Sequence, residues 1–156
     1  MNLIDPSGNL FLLYHGLITY NAARSSGMGV GASIGLAWNT MAVDFGTQGL
    51  EPEQTNLQGM AGRGQMANEA IEATKRSIDD PCTSLATRIH AAQDLATPGH
   101  AGQPWTGFHF DLETARHIMG DLFPSPSTYE QAYSNTIYVL TGQGTLDVPG
   151  VSNGGW

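Results

Sequence analysis

Two histidines and an aspartate follow one another closely in the stretch 88–100, which reads RIHAAQDLATPGH. His90 and Asp94 are four residues apart, so a helix would place both side chains on one face. A Pro-Gly pair then ends the helix, and His100 follows six residues after Asp94. Imidazole and carboxylate groups at this spacing can converge on a divalent metal ion, and zinc is the ion they favour most.

His117 and Asp121 repeat the four-residue step on a second predicted helix. The chain has only five histidines, and four of them lie between positions 90 and 117. A lone His-x3-Asp pair arises often by chance, whereas two such pairs with His100 between them form a far more specific pattern. Ligands that project inward from neighbouring helices are a known way to build a metal site in a bundle. The pattern therefore predicts a metal centre inside a helical protein.

The segments that would position these residues are predicted to be helices. Periodicity and turn residues predict helices over about 11–27, 30–43, 66–79, 82–96, 112–122 and 127–141. Residues 45–65, rich in Gly, Gln and Asn, are predicted to form an irregular loop. Because no strand-like alternation of consequence is present, we predict an all-α fold, a compact bundle of about six helices.

Two details of these helices can be predicted from the same patterns. In the helix over 66–79, Met66, Ala70, Ile71 and Ile78 are predicted to face the core. Pro81 is predicted to be the first residue of the next helix, a position that proline favours. The apolar, glycine-rich segment 28–43 is shorter than a membrane span and is predicted to be a buried core helix.

Composition narrows the class of protein. A chain of 156 residues is long enough for one domain with a sizeable core. Its formal net charge of −8, with six Lys and Arg, argues against a broad non-specific nucleic-acid surface. The single cysteine, Cys82, excludes an internal disulfide.

The run His90-x3-Asp94-x5-His100, followed by His117-x3-Asp121, resembles the zinc-dependent phospholipase C and three-zinc nuclease superfamily. That superfamily is all-α with a trinuclear zinc cluster. The resemblance covers about 11–122 and implies up to three bound zinc ions. It implies that His90 and Asp94 hold one ion, with Asp94 bridging to a second. It further implies that His100, His117 and Asp121 hold another.

Upstream of this run, Asp44 and His15 occupy the places of an aspartate and an early histidine of the superfamily. The resemblance implies that both are zinc ligands and that Asp44 is the catalytic base or orients the attacking water. Fourteen residues beyond Asp44, where the superfamily's phospholipases have a histidine, this chain has Gln58. An amide oxygen binds zinc less readily than an imidazole nitrogen, so we expect the ion held by Asp44, His90 and Asp94 to be the weakest or missing.

The first ten residues, MNLIDPSGNL, resemble the end of an Rhs repeat core, whose Asp-Pro-x-Gly signature precedes a variable C-terminal toxin. This resemblance implies an Rhs core end or linker over 1–10, a toxin domain over 11–142 and a flexible Gly-rich tail over 143–156. It also implies that the domain is secreted and delivered into a target cell. Its expected partners are the parent Rhs shell and a cognate immunity protein.

These interpretations together predict an antibacterial toxin domain that is a zinc-dependent phosphodiesterase. Phospholipid is the favoured substrate, because the negative net charge of the chain disfavours binding to DNA and the segment 28–43 could lie near a bilayer. A nuclease of the same superfamily, which Asp121 in place of Glu favours, remains an alternative. A second alternative is a non-catalytic, metal-stabilised binding module or an inactive form of the enzyme. Gln58, in place of a histidine ligand, favours this alternative. Arg63 is a candidate phosphate contact, and Trp105 is a candidate residue at the mouth of the site.

Overall fold

A computed structural model describes residues 12–47, 49–105 and 124–149 of the chain. Across these ranges the chain forms six α-helices and no β-strand, which confirms the predicted all-α fold. The helices are α1 (Leu12–Ser25), α2 (Val30–Ala42), α3 (Pro52–Thr55), α4 (Ala67–Asp79), α5 (Leu85–Leu95) and α6 (Pro126–Thr141). Short 3-10 turns lie at Val43–Gly46 and Asn56–Gln58. The helix predicted over 112–122 and the linker predicted over 1–10 fall outside the described residues.

Helix α5 is the central element, since it packs against α1, α2, α4, α6 and both 3-10 turns. All its residues from 89 to 95 are buried. The side chain of Ser84 caps the helix by accepting the backbone N–H of Thr87 at 3.2 Å. The predicted helix start at Pro81 is wrong. The Asp80 carboxylate instead accepts the backbone N–H of Cys82 at 2.9 Å, and this holds the chain in a turn before the helix.

The apolar core lies where α4, α5 and α6 meet. Its buried members are Ile71, Ile78, Ile89, Ala91, Ala92, Leu95 and Val139. The prediction that Met66 faces this core is wrong, because Met66 precedes the first turn of α4 and its side chain is 66% exposed. Leu146 and Val148 pack against the same core. The flexible tail predicted over 143–156 stays a prediction.

The segment predicted as an irregular loop over 45–65 contains α3 and the second 3-10 turn. That turn ends at Gly59, whose φ of +68° is a conformation that favours glycine. A Cβ at Gly59 would also come within 3.1 Å of the backbone nitrogen of Leu95. The segment therefore packs tightly onto the end of α5. Beyond it, the N–H of Ala61 donates to the carbonyl of Gln103 at 2.8 Å, which draws in the chain after α5.

Helix α2 is not the buried core helix predicted for the segment 28–43. Only Ser33, Ala37 and Thr40 of this helix are buried. Val30, Ile34 and Trp38 are exposed, whereas Leu36 and Met41 are half-buried and Leu36 packs against the core. Within the described ranges, every helix is too short or too polar to cross a bilayer.

Candidate metal centre

Four side chains from three elements converge beside the centre of α5. On α5 itself, Nε2 of His90 lies 3.1 Å from Oδ2 of Asp94. The same nitrogen lies 3.3 Å from Oδ1 of Asp44, in the 3-10 turn that follows α2. From α1, Nε2 of His15 lies 3.3 Å from Oδ1 of Asp94 and 4.0 Å from Oδ2 of Asp44. We refer to His15, Asp44, His90 and Asp94 as the four-residue cluster.

Local structure explains how each residue reaches the cluster. The four-residue step from His90 to Asp94 places both on one face of α5, as the sequence predicts. His15 lies on the inward face of α1, together with the buried Ile18 and Thr19. At the end of α2 the backbone tightens into a 3-10 turn, and Asp44 is buried while the next residue, Phe45, is exposed.

The orientation of His15 is fixed by a chain of buried hydrogen bonds that starts on α6. The Thr136 hydroxyl donates to the carbonyl of Ala132 at 2.7 Å, so its oxygen is available to accept. It accepts from the amide nitrogen of Gln93 at 2.9 Å, which directs the amide oxygen of Gln93 to Nδ1 of His15 at 2.6 Å. Nδ1 of His15 therefore carries a proton, and Nε2 is the ring nitrogen that faces the cluster.

His100 is held in the same way by a backbone carbonyl. Its Nδ1 lies 2.9 Å from the carbonyl oxygen of Gln58 and 3.9 Å from Oδ2 of Asp94. Since a carbonyl oxygen can only accept, the proton lies on Nδ1 and the ring's lone pair is on Nε2. This is the tautomer that a histidine adopts when it binds a metal through Nε2. The structure thus places His100 beside Asp94, next to the four-residue cluster.

The carboxylates of Asp44 and Asp94 give the cluster a negative electrostatic potential. Burial opposes the charged imidazolium, but the carboxylates of Asp44 and Asp94 outweigh it and raise the pKa of His90 to about 9. Burial likewise opposes the charged carboxylate, yet His90, His100 and His15 hold the pKa of Asp94 well below its usual range. The two carboxylates therefore favour a positive charge between them, which a proton or a metal cation could supply.

Several atoms of the cluster have no hydrogen-bond partner among the described residues. They are Nε2 of His15, both ring nitrogens of His90 and both carboxylate oxygens of Asp94. Buried polar atoms are normally paired, because an unpaired one loses its hydration without compensation. Ligands bound to a tetrahedral zinc ion at about 2.0–2.2 Å stand about 3.3–3.6 Å apart. Three of the nitrogen–oxygen distances, 3.1, 3.3 and 3.3 Å, are close to this spacing.

His15, His90 and Asp94 can each offer one ligand atom such that these atoms lie within 4.8 Å of one another. Two imidazoles and a carboxylate form a donor set that several divalent metals accept, zinc among them. The residues present therefore fit a metal ion, and the geometry alone does not single out zinc. His117 and Asp121, the predicted ligands of a further ion, lie outside the described residues.

The remaining predicted site residues lie around the cluster or at the surface. Gln58 is buried, and its amide nitrogen donates to the carbonyl oxygen and hydroxyl of Thr47 at 2.6 and 2.8 Å. Arg63 is exposed, with its guanidinium 3.9 Å from the Glu51 carboxylate. Trp105 is half-buried, and its backbone N–H donates to the carbonyl of Ala61 at 2.9 Å. The roles predicted for Arg63 and Trp105 in substrate binding stay predictions.

Sequence reasoning missed Gln93, Thr19 and Thr136. Gln93 is fully buried and donates to Thr19 at 3.0 Å as well as to Thr136. One signal is present in the sequence, because Gln93 is a polar residue that directly precedes Asp94 in a helix with few polar residues on its buried side. The sequence does not reveal the partners of Gln93, since Thr19 and Thr136 lie on α1 and α6, far away in the sequence.

Comparison of the chain with models of protein families, with curated proteins and with solved structures gave no match.

The hydrogen bond from His15 to Gln93 yields a direct prediction. Gln93→Leu keeps the approximate size but removes the acceptor, so the His15 ring loses its fixed tautomer. We expect metal affinity to fall by about 10–100-fold, the usual effect of removing such a supporting group. Isothermal titration of the metal-free protein with zinc measures this. Gln93→Glu, which still accepts from Nδ1, should restore much of the affinity, and equal losses in both variants would contradict the assigned role.

Gln58 provides a second prediction, which depends on the superfamily resemblance. Gln58→His would supply an imidazole at the position where the phospholipases carry one. We expect the bound metal per chain and the phosphodiesterase rate to rise, the rate by orders of magnitude. Gln58→Leu is the matched control, since it removes the bonds to Thr47 without adding a ligand. If Gln58→His changes neither metal content nor rate, the correspondence through Asp44 is wrong.

Proposed function

We propose that this chain is a metal-dependent phosphodiesterase that uses zinc and acts on phospholipid, as the toxin domain of a larger secreted protein. The observation that carries the proposal is the buried four-residue cluster, in which the donor atoms of His15, His90 and Asp94 point at one another without hydrogen-bond partners among the described residues.

A metal accounts for this cluster better than a purely structural role. Two buried carboxylates and two imidazoles would cost several kcal/mol to desolvate, and good hydrogen bonds must offset that cost. The chain makes such bonds to the outer nitrogen of His15, through Gln93, but not to the inward-facing atoms of His15, His90 and Asp94. Supporting the outer side of a histidine while leaving its inner nitrogen to a cation is how proteins build metal sites.

A zinc ion held by this donor set would support hydrolysis of a phosphodiester. Bound zinc would lower the pKa of water from 15.7 toward about 7 and offset charge on the phosphate oxygens. His15, His90 and Asp94 would hold the ion, and the bonded Nδ1 of His15 keeps that ring in place. Asp44 directly precedes the exposed Phe45, whereas the residues on both sides of Asp94 are buried. Of the two carboxylates, Asp44 is therefore the one with a neighbour in the chain at the protein surface. That position suits a group that orients the attacking water and accepts its proton.

Phospholipid is preferred to nucleic acid on electrostatic grounds. Within the described ranges, Arg24 donates to the carbonyl of Met28 and Arg88 donates to that of Ile78. Arg63 and Lys75 are close to glutamates. With six Lys and Arg in the whole chain and a formal net charge of −8, there is little cationic surface to follow a phosphate backbone. The nuclease alternative depends on Asp121, which lies outside the described residues.

A substrate comparison tests this proposal. The purified chain is incubated with phosphatidylcholine vesicles, single- and double-stranded DNA, and RNA, in each case with zinc and with excess chelator. We expect release of phosphocholine that chelator abolishes, and no cleavage of nucleic acid. Chelator-sensitive cleavage of DNA or RNA instead would establish the nuclease. Tight metal binding with no hydrolysis of any substrate would establish a non-catalytic module.

A further inference from the structure

The hairpin of α1 and α2 carries a large apolar surface that no described residue covers. It consists of Leu13 and Leu17 on α1, Val30, Ile34 and Trp38 on α2, and Phe45 in the adjoining 3-10 turn. Each of these side chains is between 48% and 76% exposed. We refer to these six residues as the apolar face. Scattered single apolar residues are ordinary on a protein surface, whereas six large apolar side chains exposed within one helical hairpin and its following turn indicate an interaction site.

One side of α2 exposes large apolar side chains that a helix in a water-soluble bundle normally buries. Its buried positions are Ser33, Ala37 and Thr40, whereas Val30, Ile34 and Trp38 point outward at a four-residue step. The inward hydroxyls are satisfied within the helix, since Ser33 donates to the carbonyl of Gly29 at 3.0 Å and Thr40 to that of Leu36 at 2.9 Å. Three large apolar side chains of α2 therefore face out, although Leu36 and Met41 are half-buried, and this outward side suits apolar surroundings.

The apolar face is also almost free of charge. Between residues 12 and 43, Arg24 is the one Asp, Glu, Lys or Arg, and all fourteen acidic residues of the chain lie elsewhere. The guanidinium of Arg24 is turned to the carbonyl of Met28. A specific protein interface normally surrounds its apolar centre with a polar, hydrogen-bonding rim. A neutral face on an acidic chain instead matches the neutral, apolar boundary of a zwitterionic bilayer.

The position of the face relative to the metal centre favours the same partner. Phe45, the most exposed member at 76%, directly follows Asp44 of the four-residue cluster. Docking through Trp38 and Phe45 would therefore bring the Asp44 turn to the lipid headgroups. Amphipathic helices that lie in a membrane interface bury their apolar side about 5–10 Å, and tryptophan favours that depth.

We infer that the apolar face docks this protein onto the surface of zwitterionic phospholipid bilayers and places the metal centre against the headgroups. The inference rests on the proposed function in one respect: docking explains how the enzyme would reach its phospholipid substrate. Binding itself depends only on the apolar face.

The test compares vesicle binding of the full chain with that of a variant carrying Ile34→Ser and Trp38→Ser. Flotation with phosphatidylcholine vesicles is expected to show a loss of binding of about tenfold or more, since two large side chains no longer enter the lipid. Met66→Ser is the matched control, because Met66 is 66% exposed at the start of α4, outside the apolar face. A second pair, Leu17→Ser with Val30→Ser, should repeat the loss, and circular dichroism verifies that each variant is folded.

Hydrolysis of two substrates separates failure of the docking inference from failure of the proposed function. Short-chain phosphatidylcholine below its micelle concentration needs no docking, so the Ile34/Trp38 variant should hydrolyse it like the unaltered chain but hydrolyse vesicles far more slowly. If the unaltered chain hydrolyses neither substrate, yet binding is lost in the variant, docking stands and the phosphodiesterase proposal fails.

Three results would overturn the docking inference. The first is equal vesicle binding by the variant and the unaltered chain, whatever the hydrolysis rates. The second is binding that requires phosphatidylglycerol and disappears at high salt, which would mean that charge rather than the apolar face is responsible. The third is self-association of the unaltered chain that the substitutions abolish, without any binding to vesicles, which would make the face an interface between copies.

Discussion

Removing bound metal with a chelator is expected to lower the melting temperature of this protein by about 10 °C. Metal bound at 100–1,000 times its dissociation constant stabilises the folded state by about 3–4 kcal/mol, and each kcal/mol corresponds to about 2–4 °C in a chain of this size. Without the ion, the carboxylates of Asp94 and Asp44 and the rings of His90 and His15 would stay buried within 3.1–4.0 Å of one another, and burial opposes their charges. Scanning calorimetry before and after chelation, and after zinc is restored, measures the change.

The control for chelation is His90→Ala, which removes one ligand from the cluster. Its melting temperature should respond little to chelator or to added zinc, because the site is broken in both conditions. A melting temperature of the unaltered chain that does not move, with the metal verified to be gone, would contradict a structural contribution of the metal.

Asp94→Asn is expected to reduce the proposed phosphodiesterase activity by about a thousandfold or more. Asp94 contacts both histidines of the cluster, through Oδ1 to His15 and Oδ2 to His90, and lies 3.9 Å from His100. The amide keeps the shape of the side chain but loses the negative charge and one of the acceptor oxygens. Loss of the metal would remove several kcal/mol of transition-state stabilisation, and each 1.36 kcal/mol is a factor of ten in rate.

Asp79→Asn is the matched control for Asp94→Asn, since it makes the same chemical change at the end of α4. There the carboxylate accepts the hydroxyl of Tyr138 at 3.1 Å, and this pairing raises the pKa of the tyrosine. Activity should stay close to that of the unaltered chain. Both variants are assayed at a temperature at which circular dichroism shows them folded. A fully active, metal-loaded Asp94→Asn protein would exclude Asp94 as a ligand.

The parts of this protein that could be predicted from the sequence are those governed by local periodicity. The all-α fold follows from amphipathic spacing, and the convergence of His90 with Asp94 follows from the four-residue step of α5. The proximity of His15 and Asp44 to that pair is different, because it joins residues 46 to 79 positions apart in the sequence. Spacing within one helix cannot predict it, and only the family resemblance indicated both residues.

The sequence-based predictions that are wrong, and the contacts that were not predicted, each have a specific physical cause. Helix α2 was expected to be buried because apolar residues usually are, but hydropathy does not distinguish a core from a surface that meets lipid or another partner. Pro81 was expected to open α5, but the carboxylate of Asp80 stabilises a competing turn. The support that Gln93 gives to His15 depends on hydroxyls from α1 and α6, which no local pattern reveals.

Metal content tests the central claim most directly. The full chain is purified without chelator, dialysed against metal-free buffer, and analysed for zinc and other divalent metals by elemental mass spectrometry, beside Asp94→Asn and Asp79→Asn. We expect at least one zinc ion per chain in the unaltered protein and in Asp79→Asn, and a clear loss in Asp94→Asn. A folded, unaltered chain that retains no divalent metal after dialysis, and takes up none when zinc is supplied, would contradict the metal centre and the function built on it.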